Sequence, residues 1–370
     1  MSAGTKLAVV LSGGSIRGAA HIGALKVLER YGLVPDVIAG ASAGSMVGAL
    51  YGSGVPVAEI DHIFRAYQDR WRFLDLNWHG IIKSALSLNP KHFRGLYLGR
   101  KLVGLIEANL RHIHHFSDYS RADLPPDVKP VLLSAVNLAD GQETVFAPPD
   151  VAPRGEFRVC SHRSLAFAVH CSITIPGTFV PVACGTQPGC PCHGKGTQYY
   201  VDGALRDMYP VTAPVRLTRA THVIGVNLGY AGMRADFWQR GPAEYFGHVI
   251  DIMGHDQEEA DYQDVDVAMA RVVTVNPLIY DVGGFEAQYI PMLIARGEAV
   301  MEECLRSQGL RAGGGREANL ARRFPPGRKL LRYPAKGTPA FDHWLTHTIK
   351  GRAHAMGQGA APHPTRGLTS

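Results

Sequence analysis

The sequence predicts an α/β protein with a mainly parallel central sheet. Short apolar runs alternate with segments of helical period along most of the 370 residues, which is how strand and helix units of a parallel sheet read. The first run, 7–11, ends in a glycine-rich loop, Ser12-Gly13-Gly14-Ser15-Ile16-Arg17-Gly18, that opens a helix. A second run, 37–39, ends in Gly40-Ala41-Ser42-Ala43-Gly44 and opens another. A serine between glycines at a strand-to-helix turn is the G-x-S-x-G nucleophile elbow.

The elements follow in order. A strand over 6–11 precedes the loop, and Ile22, Leu25 and Leu28 give 20–31 a helical apolar face. The strand 37–39 enters the elbow, and 46–50 continues as helix. Residues 59–70 and 101–110 read as helices, the latter with Leu102, Leu105 and Ile106 on one face. Between them, 71–98 is rich in large apolar residues, among them Trp71, Trp78, Ile82, Leu86 and Phe93, without a clean period. Ordinary core is the first reading of that stretch; a lid over an acyl-chain site is the second. Strands at 131–137 and 143–146 flank Asp140-Gly141 as a hairpin. A helix over 164–172 breaks at Pro176-Gly177, a Gly/Pro/Cys-rich loop spans 183–198, and a short strand at 199–201 runs into Asp202-Gly203. Strands at 222–228 and 272–275 and a helix at 291–305 complete the pattern. After Gly309 the chain turns Gly-, Pro- and Arg-rich. The expected organisation is therefore one domain over 1–309 and a basic extension over 310–370, with no internal repeat.

The chemistry expected at the elbow is acyl-ester hydrolysis. Serine is a weak nucleophile without a neighbouring base, and the reaction needs amide donors aimed at the developing oxyanion. Ala43 N–H follows the nucleophile and supplies one; Gly13, Gly14 or Ser15 in the first loop supply others. Gly18, Gly40, Gly44 and Gly203 keep the turns tight enough for the backbone to come close. Other chemistries fit poorly. Gly13 and Gly18 have Walker spacing, but Ala19-Ala20 stand where Lys-Ser/Thr is required. An S-x-x-K site fails because Ser45 lies three residues after Ser42. No local pattern singles out a catalytic base among the 17 histidines; His21, beside the loop, reads as a packed or capping residue. Asp202 stands where a strand meets Gly203, which is either an exposed carboxylate at a sheet edge or simply a turn.

These motifs resemble the patatin-like phospholipase family, over roughly residues 5–300. The family's Asp-Gly-Gly-Gly-x-Arg-Gly loop matches residues Ser12 to Gly18, its elbow matches Gly40 to Ser45, and its Asp-Gly-Gly/Ala matches Asp202-Gly203-Ala204. Ser172-Ile173-Thr174-Ile175-Pro176-Gly177-Thr178-Phe179 resembles its Ser-x-Ala-x-Pro-x-x-Phe block, and Asp140-Gly141 and Arg296-Gly297-Glu298 also have counterparts. The resemblance implies a three-layer α/β/α fold and a Ser–Asp dyad, with Ser42 as nucleophile and Asp202 as base. It also implies an oxyanion loop of Gly13 and Gly14 oriented by Arg17, no cofactor, and a phospholipid or other acyl ester as substrate. This sequence differs from the family where Ser12 replaces Asp and Ser15 replaces Gly, and where Arg206-Asp207-Met208 follow the dyad Asp in place of an Asn. The alternative reading is a catalytically weak, lipid-binding regulatory protein of the same fold.

Charge divides the chain. Residues 306–370 hold 12 of the 38 Lys and Arg but only Glu317 and Asp342 of the 32 acids, so the net +6 belongs to the tail and the first 305 residues are mildly acidic. A solvated extension is the plain reading of that tail; contact with anionic membrane is the functional one, and nucleic acid is the least favoured. Phe341, Trp344, Leu345 and Ile349 line one face of a short expected helix, suited to an interfacial anchor or to docking on the domain. No apolar run reaches the roughly 20 residues a membrane span needs, and no signal-peptide pattern opens the chain; a cytoplasmic protein, with peripheral membrane contact, is the expectation. Six cysteines read as reduced thiols. Cys184, Cys190, Cys192 and His193 offer metal-binding groups, but their C-x-C spacing departs from common zinc sites, and no metal is expected.

Overall fold

The computed structural model of the chain describes residues 5–66, 68, 74–89, 93–155, 157–185, 196–228, 249, 252, 270–277, 279, 282–323 and 327–330. In chain order the elements are β1 (Leu7–Leu11), α1 (Ala19–Arg30), β2 (Val37–Gly40), α2 (Ala43–Gly52), α3 (Val57–Ala66), α4 (Trp78–Ser87), α5 (Arg100–Asn109), β3 (Val131–Asn137), β4 (Glu143–Phe146), β5 (Arg158–Cys160), α6 (Leu165–Ser172), β6 (Val182–Cys184), β7 (Gln198–Asp202), α7 (Thr212–Thr218), β8 (His222–Val226), β9 (Arg271–Val275), α8 (Ile290–Ser307), α9 (Arg316–Arg323) and β10 (Gly327–Leu330). The strands form one sheet in the order β10-β9-β8-β1-β2-β3-β4-β5. Pairing is parallel from β10 through β3. At the far side β4 lies antiparallel to β3, as the Asp140-Gly141 hairpin predicts.

Alternation along β1 builds the layers. Leu7, Val9 and Leu11 face one core, shared with α1, α2, α5, α6 and α8. Ala8 and Val10 face a second core, shared with Ala213, Val215 and Leu217 of α7. A strand buried on both faces reads as a continuous apolar run, because side chains of period two both meet helices. The fold is thus the three-layer α/β/α arrangement around a mostly parallel sheet.

Two expectations are revised. The sheet continues past Gly309: β10 pairs parallel with β9, Leu320 of α9 is buried in the main core, and Arg316 pairs with Asp36. The described residues of the extension, 310–323 and 327–330, therefore include segments joined to the domain. Within the segment 71–98, α4 is not ordinary core, since it buries none of its side chains, whereas Leu74 and Tyr97 pack on a small cluster of Ile175, Phe179, Ala204 and Met208. The expected helix around Phe341 and Trp344 lies outside the described residues, as do Cys190, Cys192 and His193. The described cysteines, Cys160, Cys171, Cys184 and Cys304, are buried. No described helix is long and apolar enough to cross a membrane.

Candidate active site

The sheet brings the two sequence-distant motifs together on one strand. β2 runs parallel to the first half of β3 and ends with Gly40 opposite Leu133. β7 runs antiparallel to the second half and ends with Asp202 opposite Ala135. The two strands thus meet end to end along β3, and Ser42 and Asp202 turn out of their strands at the junction. Ser42 Oγ donates a 2.7 Å hydrogen bond to Asp202 Oδ2. The other carboxylate oxygen, Oδ1, accepts from Ala204 N–H at 2.9 Å, and Asp202 N–H donates to the Thr174 carbonyl. The carboxylate is held at both ends, so Oδ2 faces the hydroxyl.

Ser42 occupies a left-handed backbone conformation, φ 48° and ψ −120°. Strain of this kind persists only where the surroundings over-determine it. Here Ser42 N–H donates to Ser172 Oγ at 2.9 Å, Ser42 O accepts from Ser45 N–H and Oγ, and Gly44 N–H bonds the Ala41 carbonyl. The four supporting glycines are contact glycines: a Cβ on Gly18 would strike Ala43, on Gly40 the Gly44 carbonyl, on Gly44 the Leu11 carbonyl, and on Gly203 Ser134.

The first loop is ordered through its carbonyls. Ser12 Oγ donates to Gly13 O at 2.9 Å and accepts from Leu228 N–H. Arg17, buried, donates to Gly14 O from both its backbone N–H and its Nε, the latter at 3.0 Å. A peptide's C=O and N–H point in opposite directions across its plane. Anchoring Gly13 O and Gly14 O therefore turns Gly14 N–H and Ser15 N–H the other way. Neither of these amides, nor Ala43 N–H, meets an acceptor among the described residues, and Ser15, Ala43 and Ser42 line one cavity. Gly13 departs from expectation: its N–H is engaged by the Met208 carbonyl at 2.9 Å, so it holds the loop in place and has no donor left for an oxyanion. Ser15 takes a positive φ of 51°.

His21 is fully buried, and its Nε2–H donates to Ser12 O at 2.9 Å. Burial pushes its pKa down to about 4, against that hydrogen bond, so the ring is neutral and acts as a strut for the loop. Asp202 is shifted the opposite way, to about 7: removal from water outweighs the hydrogen bonds from Ser42 and Ala204 that favour the charged form.

The cavity holds about 110 Å3 and is walled by apolar groups, among them Met46, Leu74, Leu102, Ile175 and Phe179, with Ser42 at its base, 5 % exposed. A depression of about 560 Å3 lined by Arg154, Arg216, Thr221 and Ala270 lies at the amino ends of β8 and β9, away from this site. No group of three or more His, Cys, Asp or Glu among the described residues is arranged to hold a metal.

Residues to which the sequence assigned no catalytic or oxyanion role complete the site. Ser172, Thr174 and Phe179 buttress the elbow, hold Asp202 and wall the cavity; the block 172–179 carried that signal. Met208 and Leu228 carried none, because they act through backbone groups that meet distant segments, Met208 O at Gly13 N–H and Leu228 N–H at the Ser12 hydroxyl. Asp140 belongs to the hairpin instead, where it pairs with Arg158.

Fold and site together define an α/β protein in which the serine of a tight Gly-x-Ser-x-Gly turn is hydrogen-bonded to an aspartate. Residues 9–215 match the family model described as patatin-like phospholipase, and the chain belongs to that family. It is 31% identical over 226 residues to the uncharacterized protein YqhO of Bacillus subtilis, covering 59% of this chain and 70% of that one. It is 40% identical over 80 residues to lysophospholipase NTE1 of Pyricularia oryzae. That match covers 20% of this chain and 5% of the fungal protein, so the chain spans a small part of that relative. Among solved structures it is similar to VipD from Legionella pneumophila, with a TM-score of 0.45 and 15% identity over 82% of this chain and 67% of that one.

Proposed function

We propose that this protein is a serine lipid acyl hydrolase of the phospholipase A or lysophospholipase type. The observation that carries the reading is the 2.7 Å Ser42–Asp202 hydrogen bond at the base of an apolar cavity. Asp202 takes the hydroxyl proton as Ser42 Oγ attacks the ester carbonyl. Ala43, Gly14 and Ser15 N–H groups receive the oxyanion, and the start of α2 adds its favourable dipole. The leaving alcohol takes the proton back from Asp202, and a water activated by the same carboxylate hydrolyses the acyl-enzyme. A pKa near 7 suits a group that accepts and returns a proton at neutral pH. The apolar walls suit an acyl chain, and the lysophospholipase name of a partial relative agrees with that class of substrate.

The test is hydrolysis of a soluble short-chain ester and of lysophosphatidylcholine. Ser42→Ala and Asp202→Asn are each expected to lower kcat by about a thousandfold or more, with no comparable loss from any single His→Ala change. A fluorophosphonate should label the parent chain and spare Ser42→Ala. Full turnover by Ser42→Ala would end the assignment.

A further inference from the structure

The cavity's neighbourhood carries a feature that the hydrolytic chemistry leaves unused. Helix α4 presents Trp78, Ile82 and Leu86 at successive four-residue steps, 61 %, 53 % and 82 % exposed. Spacing of four places them on one stripe. Leu88 and Phe93, beyond the helix end, are exposed as well. Scattered exposed apolar residues are ordinary, but a contiguous patch marks an interaction site.

The helix is anchored at its base. Asn77 caps it, its Oδ1 accepting from Gly80 N–H and its Nδ2 donating to Gly95 O. Leu76 bridges Tyr97, and Tyr97 bridges Phe179 of the cavity wall. Leu74, just before the excursion, and Leu102, just after it, line the cavity. The stripe is therefore carried on a strut rooted in the rim of the site.

Charge selects the partner. Residues 76–106 contain Lys83, Lys91, Arg94, Arg100 and Lys101 and no Asp or Glu, within a first 305 residues that are otherwise acidic. Lys83, Arg94, Arg100 and Lys101 are exposed. An apolar stripe of Trp, Ile and Leu with an excess of cations around it, against which only Asp75 and Glu107 stand at the two ends of the segment, is the composition of a helix lying in the interface of an anionic bilayer.

We propose that α4 is the surface by which the protein docks on anionic membrane, seating the cavity rim against the lipid. This rests on the lipid-hydrolase reading for its purpose, but docking is measurable without turnover. The full chain carrying Ser42→Ala is sedimented with vesicles of equimolar phosphatidylcholine and phosphatidylglycerol, and with phosphatidylcholine alone. Binding to the mixed vesicles is expected. Adding Trp78→Gln, Ile82→Gln and Leu86→Gln should weaken it by about tenfold or more, with an unchanged melting temperature because the three side chains are exposed. Lys83→Glu with Arg94→Glu should reduce binding to the mixed vesicles and remove its salt dependence. In the Ser42 background the triple variant should hydrolyse a soluble short-chain ester at the parent rate. Vesicle binding unchanged in the triple variant, or a parent that stays in the supernatant and instead self-associates through this stripe, overturns the proposal. Loss of the hydrolase reading would show separately, as soluble-ester turnover indifferent to Ser42→Ala.

Discussion

Asp202 is a carboxyl group with no exposed surface, and its burial has a sign that can be measured. Its pKa is raised from 3.8 to about 7 on folding. Between those values the native chain holds a proton that the unfolded chain has released, so stability falls as pH rises through that window. Above about pH 8 the full cost stands, on the order of 4 kcal/mol. Asp202→Asn is therefore expected to melt above the parent at alkaline pH, the gap closing as pH falls toward 4, while activity is lost at every pH. In the parent, kcat/KM should rise with pH through about 7 as the carboxylate forms; a profile flat across neutrality would contradict this. Arg17 acts at the same scale. It donates to the loop at Gly14 O, so Arg17→Ala should cost kcat about tenfold to a thousandfold with KM little changed. The pH profile should keep the parent's midpoint, because Asp202 is untouched.

At the scale of elements, the strands and helices that pack on both faces were legible, because burial imprints its period on the sequence. β1, β2, α1 and the β3–β4 hairpin lie within a residue or two of their expected bounds. Helix α4 was not legible as a surface. Its apolar residues have the same composition as core, and only packing shows that nothing in the described chain covers them. The block 172–179 was visible as a motif, but its work was not. Ser172 sits at the end of α6 and accepts from Ser42 N–H. Ser172→Ala leaves that N–H without an acceptor beside a strained φ, and a buried orphan donor costs about 1–3 kcal/mol. The expected result is a lowered melting temperature together with a lowered kcat. Ser172→Thr, which keeps the hydroxyl, should restore part of both.

For the whole molecule, the domain boundary is set by the sheet. α9 places Leu320 in the core, Asn319 Nδ2 donates to Tyr31 O at 2.9 Å, and β10 covers the edge of β9. Ending the chain at residue 309 removes that contact and exposes the β9 edge, so it should lower the melting temperature and promote aggregation. A truncated chain as stable and soluble as the parent would return the boundary to 309. Net charge and glycine content concealed this, since a Gly-, Pro- and Arg-rich segment reads as solvated tail. By itself, the sequence determined the layered fold and the turn at Ser42, because strand period and glycine turns are local properties, while Asp202 as its acidic partner was implied only by the family resemblance. Only the tertiary structure decided which amides in the first loop remain free, how a sequence separation of 160 is closed to bring a carboxylate against a hydroxyl, and which apolar residues face water. Each of these depends on which distant backbone segments share the third strand and the loop behind it. Pairing across such separations leaves no periodic trace in the residues that make it.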